Sequence, residues 1–329
     1  LRLSEIDSRF FFRQKKGMTE TKQIYQPLKD VVRKTTFIES PRLSKLLGVN
    51  LTIASETFQH TGSFKFRPAY NVASNVAQKE IITASSGNFG QAVAFACGLL
   101  GKRCTIVMPD TSARVKIDAV REYGGTVDLI NVKTIGRNER VSQLAKENPD
   151  AYIASAYDDP LVIEGNASLG EELGVNHNFD FVIAPIGGGG LSSGIIKGLC
   201  NVGSATKVIA AEPLMANDAA RSMRERKIVT NETEPQTIAD GARTISMGKH
   251  NWEILKDGLA GIIEVAEEKI KEALCLYFSL ANLKVEPTGA LSLSAVLTQT
   301  EMFRDKNICC VASGGNVDMD VYKKILSGE

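Results

Sequence analysis

The 329-residue chain contains no apolar run of the about 18 residues that a membrane-spanning helix requires. Its start has no sustained apolar segment either. Phe10, Phe11 and Phe12 are followed at once by Arg13, Gln14, Lys15 and Lys16, which is not a secretory signal. No charge of one sign prevails. Lys and Arg number 39 against 38 Asp and Glu, so no global field favours a phosphate backbone, and a purely electrostatic nucleic-acid binder is not expected. Cysteine is sparse, six in all, with no CxxC and no ligand-spaced cluster. With only His60, His177 and His250 beside them, a structural zinc site is not expected. Those thiols read as buried and reduced, which suits a cytoplasmic protein. Repeats, low-complexity tracts and proline-rich tethers are also missing. The length suggests two domains at about 150 residues each, and they would share chain crossings rather than hang on a linker.

What the chain does contain is alternation. Ile81–Ala84, Cys104–Met108, Thr126–Val132, Tyr152–Ala154, Phe179–Ile186, Lys207–Ala211 and Ile308–Ala312 read as strands. Gln91–Leu100, Ala113–Tyr123, Arg137–Glu147, Leu161–Leu173, Leu191–Leu199, Met215–Arg224, 266–282 and 289–303 read as helices. Short strands alternating with longer helices predict an α/β fold with a mainly parallel sheet. The first methionine is Met18, and residues 1–17 are expected to form a leader or tail outside the fold.

Three stretches carry unusual chemistry. Gly187, Gly188, Gly189 and Gly190 lie between an apolar strand and a helix. Glycine is costly in backbone entropy, and four in a row suit a loop whose amides converge on one anion. The next helix N-terminus would add its dipole, and Ser192 and Ser193 their hydroxyls. Contiguous glycines match a monophosphate cradle better than a GxGxxG dinucleotide fingerprint. A tight turn under close helix packing is the other reading. Lys65 has Phe64 and Phe66 on either side. Apolar walls weaken an amine's hold on its proton and make it a Schiff-base candidate. Taken alone, a snorkelling surface lysine is the more ordinary reading. Ala84-Ser85-Ser86-Gly87-Asn88-Phe89-Gly90 opens a helix with hydroxyls and exposed amides, suited to a cap, a carboxylate ligand or both. A phosphate cradle, a carboxylate cradle and a lysine together suit a phosphorylated aldehyde cofactor condensed with an amino acid.

In combination, SFKFR at 63–67, SSGNFGQ at 85–91, GGGG at 187–190, ADGAR at 239–243, EPTGA at 286–290 and SGGN at 313–316 carry a resemblance. From about Leu43 to Asp318 the chain is similar to pyridoxal-phosphate enzymes of the tryptophan-synthase-β fold type, specifically the serine/threonine dehydratase and serine racemase group. The resemblance implies two open, twisted, mainly parallel sheets with the active site in the cleft between them. Residues 18–80 plus 159–329 would form the large cofactor-binding domain, and 81–158 a small mobile domain. It also implies site residues. Lys65 would bind the cofactor aldehyde and take the α-proton, with Phe64 as a wall against the ring and Asn88 at the ring hydroxyl. Gly187–Gly190 would hold the phosphate and Ser313 would face the pyridine nitrogen, with Glu286 among the cofactor-binding residues. Ser85, Ser86 and Asn88 would hold the substrate carboxylate, and Arg137 would stand near the entrance. Ser86 resembles the acid/base of racemase-like members on the face opposite the lysine, a helix cap being the alternative.

Glu212 and Asp218 offer carboxylates and Ala216 a carbonyl, hard oxygen ligands suited to Mg²⁺ or Ca²⁺. Helix-start acids are common without any metal; the resemblance favours the cation. The activity implied is conversion of L-threonine or L-serine to a 2-oxo acid and ammonia, with serine racemase activity beside it, in a homodimer. A 3-hydroxyaspartate or other 3-hydroxy amino acid substrate, and a β-replacement synthase, stay open. Departures from the group's pattern bear on the substrate. Pro68 stands where glycine is usual and predicts extended backbone just before it. Phe89 replaces a frequent histidine, Ile163–Ser168 differs from the usual run, and Tyr157 and Arg243 approach the site region.

Overall fold

The computed structural model describes residues 26–112, 114–175 and 177–328, so the leader expected at 1–17 lies outside the described residues. Its strands are β1 Thr36–Glu39, β2 Asn50–Ser55, β3 Glu80–Ala84, β4 Arg103–Pro109, β5 Thr126–Ile130, β6 Tyr152–Ile153, β7 Phe181–Pro185, β8 Lys207–Pro213, β9 Leu259–Val265 and β10 Asn307–Ala312. Six of them form one sheet in the order β1-β2-β10-β7-β8-β9, with β1 antiparallel to β2 and every other neighbour parallel. The other four form a parallel sheet in the order β5-β4-β3-β6. The α/β class and the two mainly parallel sheets agree with the sequence reading.

The strands show why parallel sheets were legible. A parallel strand covered by helices on both faces loses its polar–apolar alternation and becomes a continuous apolar run. In β10 the adjacent cysteines are both fully buried because they point to opposite faces. Cys309 packs among Leu169, Val182 and Ile195, and Cys310 among Ile53, Leu293 and Val296. A separate core surrounds the four-stranded sheet and draws in the helices Phe66–Asn75 and Asn88–Leu99.

Several elements were not anticipated. β1 is four residues long and half exposed, β2 mixes polar with apolar positions, and β9 carries Gly261. None shows a clean period. The helix Phe66–Asn75 also corrects the expectation at Pro68, because Arg67 is helical rather than extended. Pro68 lies in the first helical turn, where its missing N–H is not needed, and the ion pairs of Arg67 hold that turn in place. The helix expected at Met215–Arg224 begins instead at Asp218, after a 3-10 turn over Leu214–Ala216.

Because β2, β10, β7 and β8 run parallel, their carboxyl ends share one edge of the larger sheet. The segments that leave that edge carry Glu56 to Lys65, Ser313, the glycine run and Leu214 to Asp218. Ligand sites of open α/β sheets form at such edges.

Candidate active site

Lys65 immediately precedes the helix Phe66–Asn75. Its Nζ donates to the carbonyl of Ala156 at 2.7 Å and lies 5.1 Å from the Phe64 ring centroid and 5.5 Å from that of Phe89. The aromatic pair around the amine therefore differs from the sequence neighbours. Phe66 turns away into the other core, against His60, Tyr70 and Phe95, and Phe89 supplies the second wall. Burial lowers the amine's pKa to about 8, a shift opposed by the charge of Glu286. That favours the neutral amine a Schiff base needs.

Two other segments fix the lysine turn. The amide of Phe64 donates to Ser313 O at 3.0 Å, and Ser63 pairs with Gly314 in an isolated bridge. Ser313 is buried, and among the described residues its hydroxyl has no hydrogen-bond partner. Glu286 is also buried. Both its oxygens accept from Asn88 Nδ2, at 2.8 and 3.1 Å, and Asn88 Oδ1 accepts from Asn316 Nδ2 at 2.8 Å. Burial, together with the charge of Asp240, raises the Glu286 carboxyl to about 7.

The helix Asn88–Leu99 opens at the serine turn. Ser85 Oγ accepts from Gly90 N at 3.0 Å and Gly87 N at 3.4 Å, and the Ser85 amide is taken by Val107 O. Ser85 is therefore a cap that shapes the turn. Ser86 is different: among the described residues neither its hydroxyl nor its amide has a protein partner, and the amides of Asn88 and Phe89 are likewise free of protein acceptors. Free amides at the N-terminus of a helix suit a carboxylate.

The glycine run leads from β7 into the helix Gly190–Asn201. Among the described residues no protein atom accepts from the amides of Gly187, Gly188, Gly189, Gly190 or Leu191. Gly189 is in the left-handed region, with φ of 95°, so successive amides can face one point. A Cβ at Gly188 would lie 2.2 Å from the ring of Tyr157. The loop is thus closely packed against Tyr157, while its amides are left without protein acceptors among the described residues. Ser192 and Ser193 do not add hydroxyls to the cradle. Their Oγ atoms donate to Pro185 O and Asn251 O.

Arg137 opens the helix Arg137–Glu147 and pairs with Glu234 at 3.0 Å, both side chains partly exposed. Lys116 pairs with Asp240 of the ADGAR turn at 2.7 Å. Arg243 donates to Thr237 O. At the end of β8, Glu212 is fully buried and accepts from Ala219 N and Ala220 N, each at 2.8 Å. Asp218 Oδ1 accepts from Asn231, while Oδ2 is buried without a partner. Burial raises Asp218 to about 6, and burial reinforced by the Asp218 charge raises Glu212 well above its ordinary value. Ala216, also buried, ends the 3-10 turn beside them.

Sequence reasoning missed the carbonyl of Ala156, the Lys116–Asp240 pair and the carboxamide of Asn251, and gave Asn316 no role of its own within the SGGN motif. A backbone acceptor leaves no trace in residue type, and a lone asparagine has no spacing to reveal it.

The residues present suit the phosphorylated aldehyde. Free amides stand for its phosphate, an unpartnered hydroxyl for its ring nitrogen and a depressed amine for its carbonyl. The comparisons agree. The chain is 35% identical over 312 residues to the L-threo-3-hydroxyaspartate ammonia-lyase of Saccharomyces cerevisiae, covering 92% of this chain and 94% of that protein. It is 35% identical to human (Homo sapiens) serine racemase, covering 89% and 88%. A crystal structure of threonine deaminase from T.th. matches with a TM-score of 0.85 at 36% identity, over 90% of this chain and 97% of that one. The family model described as pyridoxal-phosphate dependent enzyme matches residues 28–314, and the chain belongs to that family, with pyridoxal 5'-phosphate as its cofactor.

Proposed function

We propose that this enzyme is an ammonia-lyase for L-3-hydroxy amino acids, L-serine and L-threonine foremost, and that Ser86 adds racemase activity. The observation that carries the reading is the pairing of a depressed, aromatic-walled Lys65 amine with a helix-opening turn whose Ser86 hydroxyl is unengaged. Bound pyridoxal phosphate supplies the electron sink that makes the α C–H acidic. Lys65 takes that proton. The free amides of the 86–89 turn hold the substrate carboxylate, and the β-hydroxyl leaves as water. Hydrolysis of the resulting imine returns that water and releases the 2-oxo acid and ammonia. A proton returned by Ser86 to the opposite face gives the other enantiomer. Ser313 offers the ring nitrogen a neutral hydroxyl, which weakens the sink and suits elimination over transamination.

L-threo-3-hydroxyaspartate is the second reading, favoured by the yeast relative and by two cations, Lys116 and Arg137, in ion pairs that a second substrate carboxylate would rival. The test supplies L-serine, D-serine, L-threonine and L-threo-3-hydroxyaspartate side by side and measures oxo acid release and chiral composition. Oxo acid without any added nucleophile is the expected result, and its absence from all four sinks the lyase reading in favour of β-replacement. In Ser86→Ala, racemisation should fall by ~10²-fold or more while L-serine elimination stays within a few-fold. Undiminished racemisation would reduce Ser86 to a helix cap.

Glu212, Ala216 and Asp218 are proposed to hold Mg²⁺ or Ca²⁺, supported by the partnerless Asp218 oxygen and two buried carboxylates that repel each other. A cation at a hundredfold excess over Kd adds about 2.7 kcal/mol of stability. Millimolar Mg²⁺ should therefore raise the thermal midpoint by several degrees, and Asp218→Asn should abolish the rise. An unmoved midpoint with both cations would leave the pair as buried caps. A homodimer is proposed from the family resemblance, with Phe278 and Met319 as exposed apolar surface. A cytoplasmic location is proposed from the six cysteines, which are held as thiols rather than disulfides.

A further inference from the structure

The glycine run can receive an anion only if its amides face away from the protein. In a planar trans peptide, a carbonyl and the following N–H point in opposite directions. Whatever fixes the Gly188 carbonyl therefore aims the Gly189 amide, and whatever fixes the Gly190 carbonyl aims that of Leu191. Gly188 O accepts from Asn251 Nδ2 at 2.8 Å and from Gly248 N at 3.0 Å. Gly190 O accepts from Asn166 Nδ2 at 3.0 Å.

Asn251 does more than hold one carbonyl. It is fully buried, and its Nδ2 also donates to Tyr157 O at 3.0 Å. Tyr157 follows Ala156, whose carbonyl receives the Lys65 amine. The two hydrogens of one carboxamide thus join the anion loop to the segment that receives the lysine. Asp158 secures the same segment, accepting from the amides of Lys249 and His250 at the start of the helix Lys249–Gly258. Asn251 Oδ1 is buried with no partner. An orphaned buried oxygen is destabilising, so a position needed only for packing would be better served by an apolar side chain.

We propose that Asn251 is a positioning residue for cofactor binding, aiming the Gly189 amide at the phosphate and holding the loop of Ala156 and Tyr157 to the same cradle. The inference rests on the family's cofactor and not on the substrate reading. It is tested by binding alone, so the two fail separately.

The experiment compares wild type with Asn251→Leu by equilibrium dialysis of the cofactor-free protein against pyridoxal phosphate and, separately, pyridoxal. Pyridoxal keeps the aldehyde and ring but has no phosphate. The expected result is a Kd for pyridoxal phosphate about tenfold higher, in the range of one lost and misdirected hydrogen bond, with the Kd for pyridoxal within about twofold. The cofactor-free variant loses two hydrogen bonds along with the orphaned oxygen, so its thermal midpoint should fall by no more than a few degrees and both constants are read on folded protein. Equal losses for both ligands, or no loss for either, would overturn the proposal. Should Asn251→Leu fail to fold, Asn251→Ser, which keeps a donor too short to span both carbonyls, is read by the same two constants.

Discussion

Lys65→Ala should lower kcat by ~10⁴-fold or more, and the purified variant should bind pyridoxal phosphate without covalent attachment. Both losses follow from one amine. Its Nζ stands between two aromatic rings and has only the Ala156 carbonyl as hydrogen-bond acceptor among the described residues. Lys116, by contrast, is engaged by Asp240. Borohydride reduction followed by peptide mapping would show where the cofactor attaches. Attachment elsewhere, or turnover within tenfold of wild type, would remove Lys65 from its assigned role. The pKa near 8 adds a kinetic signature. Only the neutral amine condenses with an aldehyde, so cofactor uptake by the cofactor-free wild type should accelerate with pH up to about 8 and then level off. An ordinary lysine, at about 10.4, would still be accelerating at pH 9.

Arg67→Met should destabilise the folded enzyme by about 3–5 kcal/mol, the cost of leaving a buried charge without its partner. Arg67 and Glu56 are both buried and joined at 2.7 and 2.9 Å, while Glu172 closes the other side of the guanidinium at 2.8 Å. Thr35 and Ser168 take further N–H groups. Burial alone would lower the guanidinium pKa, and the two carboxylates outweigh it and raise it. Methionine fills much of the volume and leaves Glu56 buried with no counter-charge. Arg67→Lys should recover part of the loss, because an ammonium keeps the charge and forfeits the planar fork. Thermal melting of the three proteins checks this. A midpoint for Arg67→Met within a degree or two of wild type would show that the network contributes little. The network also bears on function, since Arg67 is two residues from Lys65 and in the first turn of the same helix.

Local chemistry explains which parts of this molecule were legible beforehand. Residues Ile81–Ala84 and Ile308–Ala312 read as strands because two-sided burial demands unbroken apolar runs. The glycine run stood out because four glycines are costly in backbone entropy, which left an anion loop and a closely packed tight turn as its two readings. Lys65, Asn88 and Ser313 were legible through motifs rather than through spacing. β1, β2 and β9 stayed hidden because none shows a clean period and each is placed by its sheet neighbours rather than by its own pattern. β2, for instance, is held by β10, more than 250 residues later.

By itself the sequence determined the α/β class, the parallel sheets, the family and, with it, the cofactor. Each rests on interactions within one segment, or on a motif whose chemistry survives any packing. Only the tertiary structure decided that Phe89, and not Phe66, walls the lysine, and that Ser85 caps while Ser86 stays free. Only it decided that Arg137 is paired with Glu234 and that Asn251 joins the glycine loop to Tyr157. These are contacts across the fold, set by where a turn points after two sheets have packed, and no residue carries that direction in its own chemistry.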